Sequence, residues 1–303
     1  MIRILNMGSI NIDYVYTVPH FVRAGETLSA NCRQIFSGGK GLNQSIALAR
    51  AGGNVSHAGM VGCDGAYLCE LLMEKGVDTS LIAISDSPTG HAIIQVTEEG
   101  ENSILLFAGA NHKLNESYVE NALSSYNRDD ILVLQNEVSC IAYAMKAAKA
   151  KGMKIAFNPS PYGPEIKHYP LELVDWWLLN EIEGESLTKE DSPHKMLEVM
   201  GVLYPDATVV LTLGKDGVLC RLNDKIYQHD SYQVKVLDTT AAGDTFTGYF
   251  IVAVSQGQSI PEALRLASKA ASIAVSRKGA AVSIPDLAEV SSSISRQEHP
   301  QFS

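Results

Sequence analysis

The chain has 303 residues and carries 24 Lys and Arg against 34 Asp and Glu, a formal charge of −10 that sets it against long polyanions such as nucleic acid. Hydrophobic residues make up 46% and charged residues 19%, enough for a sizeable core and too apolar for a disordered chain. The length fits one large α/β domain or two small ones, and no apolar run approaches the ~20 residues of a membrane span.

Apolar stretches alternate with helical patterns, which predicts an α/β fold with a largely parallel sheet. Residues 2–7 read as a buried strand. Residues 13–36 hold Tyr14, Val15, Tyr16 and Val18 in extended-looking runs. Residues 42–50 read as a helix ended by Gly52-Gly53, and 55–61 as the next strand. Leu68, Leu71 and Leu72 fall on one face of a helix stopped by Gly76. Residues 90–107 read as two strands around the turn Glu98-Glu-Gly-Glu-Asn102. Short strands follow at 131–134, 154–157, 176–179 and 209–213, with helical segments between them. Residues 233–237 look strand-like, ahead of an apolar helix at 245–255. Ser259-Ile-Pro-Glu262 is a capping box, and its helix is expected to run to about Arg277. Beyond Pro285 the chain is polar and Ser-rich, with weak periodicity and an end expected to be mobile. The segments around 13–37 and 90–107 break the alternation and suit a small β-rich insertion. Surface hairpins and a lid over a ligand both fit them.

Missing motifs narrow the chemistry. The chain has no Walker A loop, and Gln44 stands where a dinucleotide fingerprint would place its last glycine after Gly39-Lys-Gly41. It has no H-E-x-x-H, no zinc-type Cys/His spacing and no G-x-S-x-G elbow. Five cysteines, an odd number without a C-x-x-C pair, read as reduced thiols of a cytoplasmic protein. Residues 1–8 are too short and too soon interrupted for a secretory signal.

Ser37-Gly-Gly-Lys-Gly-Leu-Asn43 is a glycine-dense turn opening a helix, where unpaired amides, Lys40 and Asn43 suit a polyol or a phosphate. A flexible turn with an exposed lysine fits it equally well. Asp238-Thr-Thr-Ala-Ala-Gly-Asp244 leads into an apolar helix with amides free to face an anion. Beside such a site the Asp244 carboxylate suits a base that takes the proton of an attacking hydroxyl during phosphoryl transfer. Read alone, it also suits an acid complementing the helix dipole. Asn180-Glu-Ile-Glu183 follows a strand, where carboxylates could organise Mg²⁺, or simply begin a loop. Thr212-Leu-Gly-Lys-Asp-Gly217 ends another strand in a turn that suits phosphates or a hairpin.

In this order the segments resemble the ribokinase branch of the PfkB carbohydrate kinase family. The resemblance is carried by Gly8-Ser-Ile-Asn-Ile-Asp13, Gly38-Gly-Lys-Gly-Leu-Asn43, Ala108-Gly-Ala-Asn111, Asn180-Glu-Ile-Glu183, Thr212 to Gly217, Asp238 to Asp244 and Arg277-Lys-Gly-Ala280. It spans residues 5–285, and the pairing of the second and sixth segments is its most specific part.

The resemblance implies a doubly wound α/β domain (residues 1–12, 38–89 and 108–303) with a β-sheet lid (13–37 and 90–107). It implies transfer of the ATP γ-phosphoryl group to a hydroxyl of D-ribose. Asp244 would be the base, with Ala242 and Gly243 giving the anion-hole amides. Asn11, Asp13, Gly39, Lys40, Gly41, Asn43 and Glu137 would hold the sugar. Asn180, Glu183, Thr212, Leu213, Gly214, Lys215, Asp216, Gly217, Gly243 and Ser268 would face the nucleotide, with Glu183 near Mg²⁺. A monovalent cation, K⁺, would sit by Asp238, Thr240, Ala274, Arg277, Gly279 and Ser283 and shape the neighbouring turn. Two departures stand out: Ala241 occupies a position that is glycine in many members, and Ser268 one that is often Asn or His near the base. Sugar identity is expected to depend on lid side chains such as Ile12, Tyr14, Ile94 and Phe107, and exposed lid strands would suit a homodimer. Deoxyribose, a ketohexose or a nucleoside are alternative acceptors, and a sensor that has lost catalysis is an alternative of another class.

Overall fold

The computed structural model describes residues 2–298. In chain order its elements are β1 (Arg3–Met7), β2 (Asn11–Thr17), β3 (Cys32–Gly38), α1 (Lys40–Arg50), β4 (Asn54–Val61), α2 (Ala66–Glu74) and β5 (Asp78–Ile84). Next come β6 (Gly90–Val96), β7 (Asn102–Phe107), α3 (Glu116–Leu123), β8 (Ile131–Gln135), α4 (Ile141–Ala150), β9 (Lys154–Asn158) and β10 (Trp176–Asn180). The last third holds α5 (Glu181–Thr188), α6 (Pro193–Leu203), β11 (Thr208–Thr212), β12 (Val218–Leu222), β13 (Lys225–His229), α7 (Ala242–Ser255), α8 (Ile260–Val275) and α9 (Leu287–Glu298).

Nine strands form one sheet in the order β13-β12-β11-β10-β9-β8-β1-β4-β5. Every pairing from β11 to β5 is parallel, and the β12–β13 hairpin closes one edge antiparallel. The central strands are apolar throughout because both sheet faces are covered. Ile4, Val133, Leu178 and Val210 point into the core shared with α1, α7 and α8. Their neighbours Leu5, Leu134, Leu179 and Leu211 point into the opposite core, with α3, α4 and α6. Strands β3-β2-β6-β7 form a second, four-stranded sheet, pairing antiparallel except for the parallel β2–β6 contact.

Three expectations need correction. Residues 233–237 form no strand; they run exposed along the surface, and the Leu237 and Asp238 amides both donate to the Val275 carbonyl at the end of α8. Helix α8 stops at Val275, just short of Arg277. Beyond Pro285 the chain forms α9, whose Val290 and Ile294 stand one turn apart and are buried in the first core. Burial of each is worth ~1.5–3 kcal/mol, which outweighs the weak propensity of a Ser-rich segment. The last residues of the chain, expected to be mobile, lie partly outside the described residues. Among the described residues no helix is long and apolar enough to cross a membrane.

Candidate active site

The strand order reverses direction at β1, which lies between β4 and β8. Open α/β sheets bind ligands at the carboxyl ends of strands beside such a switch point. Here the chain leaves β1 for the small sheet and returns through Gly38 and Gly39 into α1, so both sheets face one cleft of about 1110 Å³. That volume can hold a sugar and a nucleotide together.

Asp244 lies in the first turn of α7 and is 8% exposed. Its Oδ2 accepts a hydrogen bond from Asn43 Nδ2 at 3.2 Å, and its Oδ1 one from Gln44 Nε2 at 2.9 Å. One turn further along both helices, Gly248 packs against Ala47 so closely that a Cβ would collide with the Ala47 methyl. That glycine sets the α1–α7 approach and so brings Asp244 to Asn43 and Gln44. Ahead of α7, Ala241 adopts the left-handed conformation, φ 61° and ψ 11°. This explains why glycine suits the position. The Ala242 amide donates to the Thr239 carbonyl at 3.2 Å, and Gly243 lines the cleft.

The turn at the start of α1 gathers a second set of charges. Glu137 Oε2 accepts from Ser9 Oγ and from the Lys40 amide, the latter at 3.1 Å, which pins the carboxylate beside the helix. Burial pushes the Glu137 pKa up against the pull of the Lys40 ammonium. Burial disfavours the Lys40 charge, but Asp244, Glu137 and Glu183 together hold its pKa above the ordinary lysine value. Asp13 carries a pKa pushed up to about 6, by burial and then by Glu137. Asn11 is 4% exposed, and its Oδ1 accepts from Asn111 Nδ2 at 2.7 Å. Asn43 Oδ1 is buried and finds no hydrogen-bond partner among the described residues, which leaves an acceptor at the cleft wall. Gly39, at φ 92°, also lines the cleft, whereas Gly41 is buried against the Gly8–Ser9 backbone.

At the other end of the cleft, Asn180 and Glu183 form the capping box of α5. The Asn180 amide donates to Glu183 Oε2 at 2.8 Å and Asn180 Nδ2 donates to Oε1 at 2.9 Å. Both residues line the cleft, as does Thr212. Leu213, Gly214, Lys215, Asp216 and Gly217 make the β11–β12 turn next to it without lining the cleft. Ser268 is half-buried on α8, outside the cleft lining.

Asp238 ties the turn before α7 to the loop after α8. Its Oδ1 accepts from the Thr240 amide at 2.9 Å and from Thr240 Oγ1 at 2.6 Å, and its Oδ2 accepts from the Gly279 amide at 2.9 Å. Burial opposes its charge, yet these bonds and Lys278 hold its pKa below the ordinary carboxylate value. The Ala274 carbonyl accepts from the Arg277 amide and the Ser283 carbonyl from the Arg277 guanidinium, which also pairs with Glu289. Among the described residues no group of three His, Cys, Asp or Glu is placed to hold a metal ion.

Strand parity decides which side chains of the small sheet reach the cleft. Asn11, Asp13 and Val15 of β2, Ala92 and Ile94 of β6, and Ile104 and Leu106 of β7 face it. Of the four specificity positions expected from sequence, only Ile94 does so. Ile12, Tyr14 and Phe107 are out of step with these residues, and Tyr14 and Phe107 pack on His91 on the opposite face. The sequence reading also passed over three buried amides near Asp244: Gln44, Gln135 and Asn6. Their signal was present, since Asn6 interrupts an apolar strand and Gln135 ends one.

Comparison with known proteins identifies the family. A model described as pfkB family carbohydrate kinase matches residues 1–287. The chain is 38% identical over 288 residues to a ribokinase of Haemophilus influenzae, covering 92% of this chain and 94% of that protein. Its fold is similar to a ribokinase from Cryptococcus neoformans var. grubii serotype A in complex with ADP, with TM-score 0.86, 34% identity and coverage of 97% and 100%. It is also similar to an Arabidopsis thaliana ribokinase complexed with ribose and ATP, with TM-score 0.84, 30% identity and full coverage of both chains, 100% each. The chain belongs to the PfkB family of carbohydrate kinases and is a phosphotransferase acting on an alcohol group.

Proposed function

We propose that the protein transfers the γ-phosphoryl group of ATP to a hydroxyl of D-ribose, giving D-ribose 5-phosphate. The observation that carries this reading is a carboxylate, Asp244, held by two amides at the start of α7 and opening onto the same cleft as Lys40 and Glu137. The ribose and ATP complex of the Arabidopsis thaliana relative supports the choice of substrates.

Asp13 and Glu137 accept hydrogen bonds from sugar hydroxyls, Lys40 and the Gly39 turn donate, and Asn11 and Asn43 complete the sugar's contacts. Asp244 accepts the proton of the attacking hydroxyl as the phosphoryl group arrives. The amides of Ala242 and Gly243 hold the transferring oxygens; the Ala242 amide must first leave the Thr239 carbonyl. Asn180 and Glu183 would face the nucleotide, with Glu183, both of whose oxygens already accept from Asn180, acting near a Mg²⁺ that would neutralise phosphate charge. Thr212 and the following turn would face the nucleotide.

A K⁺ ion at the Asp238–Thr240–Gly279 junction would steady the neighbouring anion-hole turn, since Asp238 brings these segments together and keeps its charge. The small sheet, residues 13–37 and 90–107, would act as a lid excluding water. Its edge strand β7 exposes Ile104, Leu105, Leu106 and Phe107, a surface suited to pairing with a second copy. Five free cysteines, Cys32 and Cys63 exposed among them, fit a reducing compartment such as the cytoplasm.

The test is ADP release with Mg·ATP and a sugar panel including D-ribose and D-fructose, in K⁺ and in Na⁺, alongside Asp244→Asn. K⁺-stimulated turnover of D-ribose, lost in Asp244→Asn with substrate binding intact, is expected. Turnover of another sugar would move the acceptor while keeping the mechanism. Wild-type kcat in Asp244→Asn would remove Asp244 as the base.

A further inference from the structure

Gln44 Nε2 donates to Asp244 Oδ1 at 2.9 Å and reaches Asn158 Oδ1 at 3.5 Å, the orientation that an ionised carboxylate, an acceptor only, requires. A buried chain of side chains holds the same orientation from the far side, beginning at a backbone carbonyl. The Gly41 carbonyl can only accept, and Asn6 Nδ2 donates to it at 2.7 Å. This turns Asn6 Oδ1 towards Gln135, whose Nε2 donates to it at 2.8 Å. The second hydrogen of that nitrogen goes to Gln44 Oε1 at 2.8 Å, which leaves Gln44 Nε2 to face the carboxylate. A branch has the same polarity: Asn6 Nδ2 donates to Ser45 Oγ, whose hydroxyl is left to donate to His57 Nδ1 while His57 Nε2 faces the Gly8 carbonyl. Asn6, Gln44 and Gln135 are fully buried, and Gln135 Oε1 finds no partner among the described residues.

We propose that Gln44 is a positioning residue for Asp244, with its amide held in the donating orientation by the chain from the Gly41 carbonyl through Asn6 and Gln135. These amides do not line the cleft; with Asn43 donating to Oδ2 and Gln44 to Oδ1, they fix the plane of the carboxylate and so the direction of its remaining lone pairs towards the hydroxyl. The inference rests on the reading of Asp244 as the base.

Two isosteric variants test it, read as kcat, KM and pH profile. Gln135→Glu removes the nitrogen that donates to both Asn6 Oδ1 and Gln44 Oε1; the introduced carboxyl donates to at most one of them when protonated and to neither when ionised, so the chain is broken at one link or more. Gln44→Glu places a second carboxylate against Asp244, and the pair then shares a proton. Lys40 and Glu137 are the charged groups coupled to Asp244. Each variant is expected to lose at least tenfold in kcat with both KM values within threefold of wild type. In Gln44→Glu the acid limb of kcat should move up by about one pH unit or more. Gln44→Met, which keeps the volume, checks folding by thermal melting and should lose kcat as well. If Asp244→Asn abolishes turnover while Gln44→Glu and Gln135→Glu keep wild-type kcat and pH profile, the inference falls and the base stands. If Asp244→Asn keeps its turnover, the base reading itself has failed. A uniform loss of kcat at every pH that tracks a lowered melting temperature would mean a merely structural role and would also overturn it.

Discussion

The Asp13 carboxyl owes its high pKa, about 6, to burial and to the neighbouring carboxylate of Glu137. In the proposed site a sugar hydroxyl donates more strongly to the ionised Asp13 carboxylate than to the protonated carboxyl. The apparent KM for the sugar should therefore be flat above pH 6 and rise below it, by at most about tenfold per unit. Glu137→Gln removes the repelling charge and should move this break to lower pH. A break unmoved in Glu137→Gln would remove Glu137 as its cause.

The same shift has a stability counterpart. The folded state binds the Asp13 proton more tightly than the unfolded chain, so ionisation costs stability. The cost is fully present above pH 6 and is relieved as the pH falls from 6 towards 3.8. At neutral pH it amounts to about 3 kcal/mol before any relaxation of the site. Asp13→Asn should raise the melting temperature at pH 7.5 while weakening sugar binding, and at pH 4 the gain should shrink. An unchanged or lowered melting temperature at pH 7.5 would contradict the assignment.

Much of the scaffold is legible because its central strands are apolar on both faces, so runs such as residues 131–134 stand out without any partner in view. Residues 233–237 mislead for the complementary reason: they carry apolar alternation, but no strand lies beside them to use it. The Asp244 turn is not decided locally, since small residues followed by an acid also suit a helix-dipole partner; its pairing with residues 38–43 is what singles it out. The lid positions were not legible, because the choice between Ile12 and Asp13 for the cleft depends on parity against β3 and β6. Gln44 was least accessible of all. Its partner Asp244 is 200 residues away and Gln135 is 91 away, so no local pattern connects them.

Gly243 separates fold from function. It lies in the first turn of α7, and a Cβ built on it meets nothing within 4 Å. Glycine in a helix costs ~0.5–1 kcal/mol relative to alanine. Gly243→Ala should therefore melt no lower than wild type, while its methyl enters the space proposed for the transferring phosphoryl group and cuts kcat/KM at least tenfold. Wild-type kcat/KM in this variant would move the anion hole elsewhere.

Ala241 bears the opposite strain. An L-residue in the left-handed region costs ~1–2 kcal/mol, while the added freedom of an unfolded glycine returns ~0.4–1. Ala241→Gly should thus be neutral or stabilising by roughly 0.5 kcal/mol, and Ala241→Val should be strongly destabilising because a β-branched residue fits that conformation least. Urea titration of the two variants measures this. A loss of more than about 1 kcal/mol in Ala241→Gly would show that the alanine methyl contributes packing beyond its strain.

His57 should limit the acid stability of the whole domain. It is fully buried between Ser45 and the Gly8 carbonyl, and burial pushes its pKa down to about 4, against a weaker opposing effect of the Gly8 bond. The unfolded chain protonates this ring near pH 6.5, whereas the folded chain resists until about pH 4. Above pH 6.5 both states are neutral and the group contributes no pH dependence. As pH falls below 6.5 the unfolded state gains protons that the native state refuses, and stability is lost until the folded pKa is passed. The loss reaches about 2.5 kcal/mol by pH 4.5. His57→Gln has no ring to titrate, so its stability, although lower at pH 7, should fall less between pH 7 and 4.5 by about that amount. Denaturant titrations of both proteins at the two pH values give the comparison directly, and equal losses would mean that His57 does not titrate as a buried neutral ring.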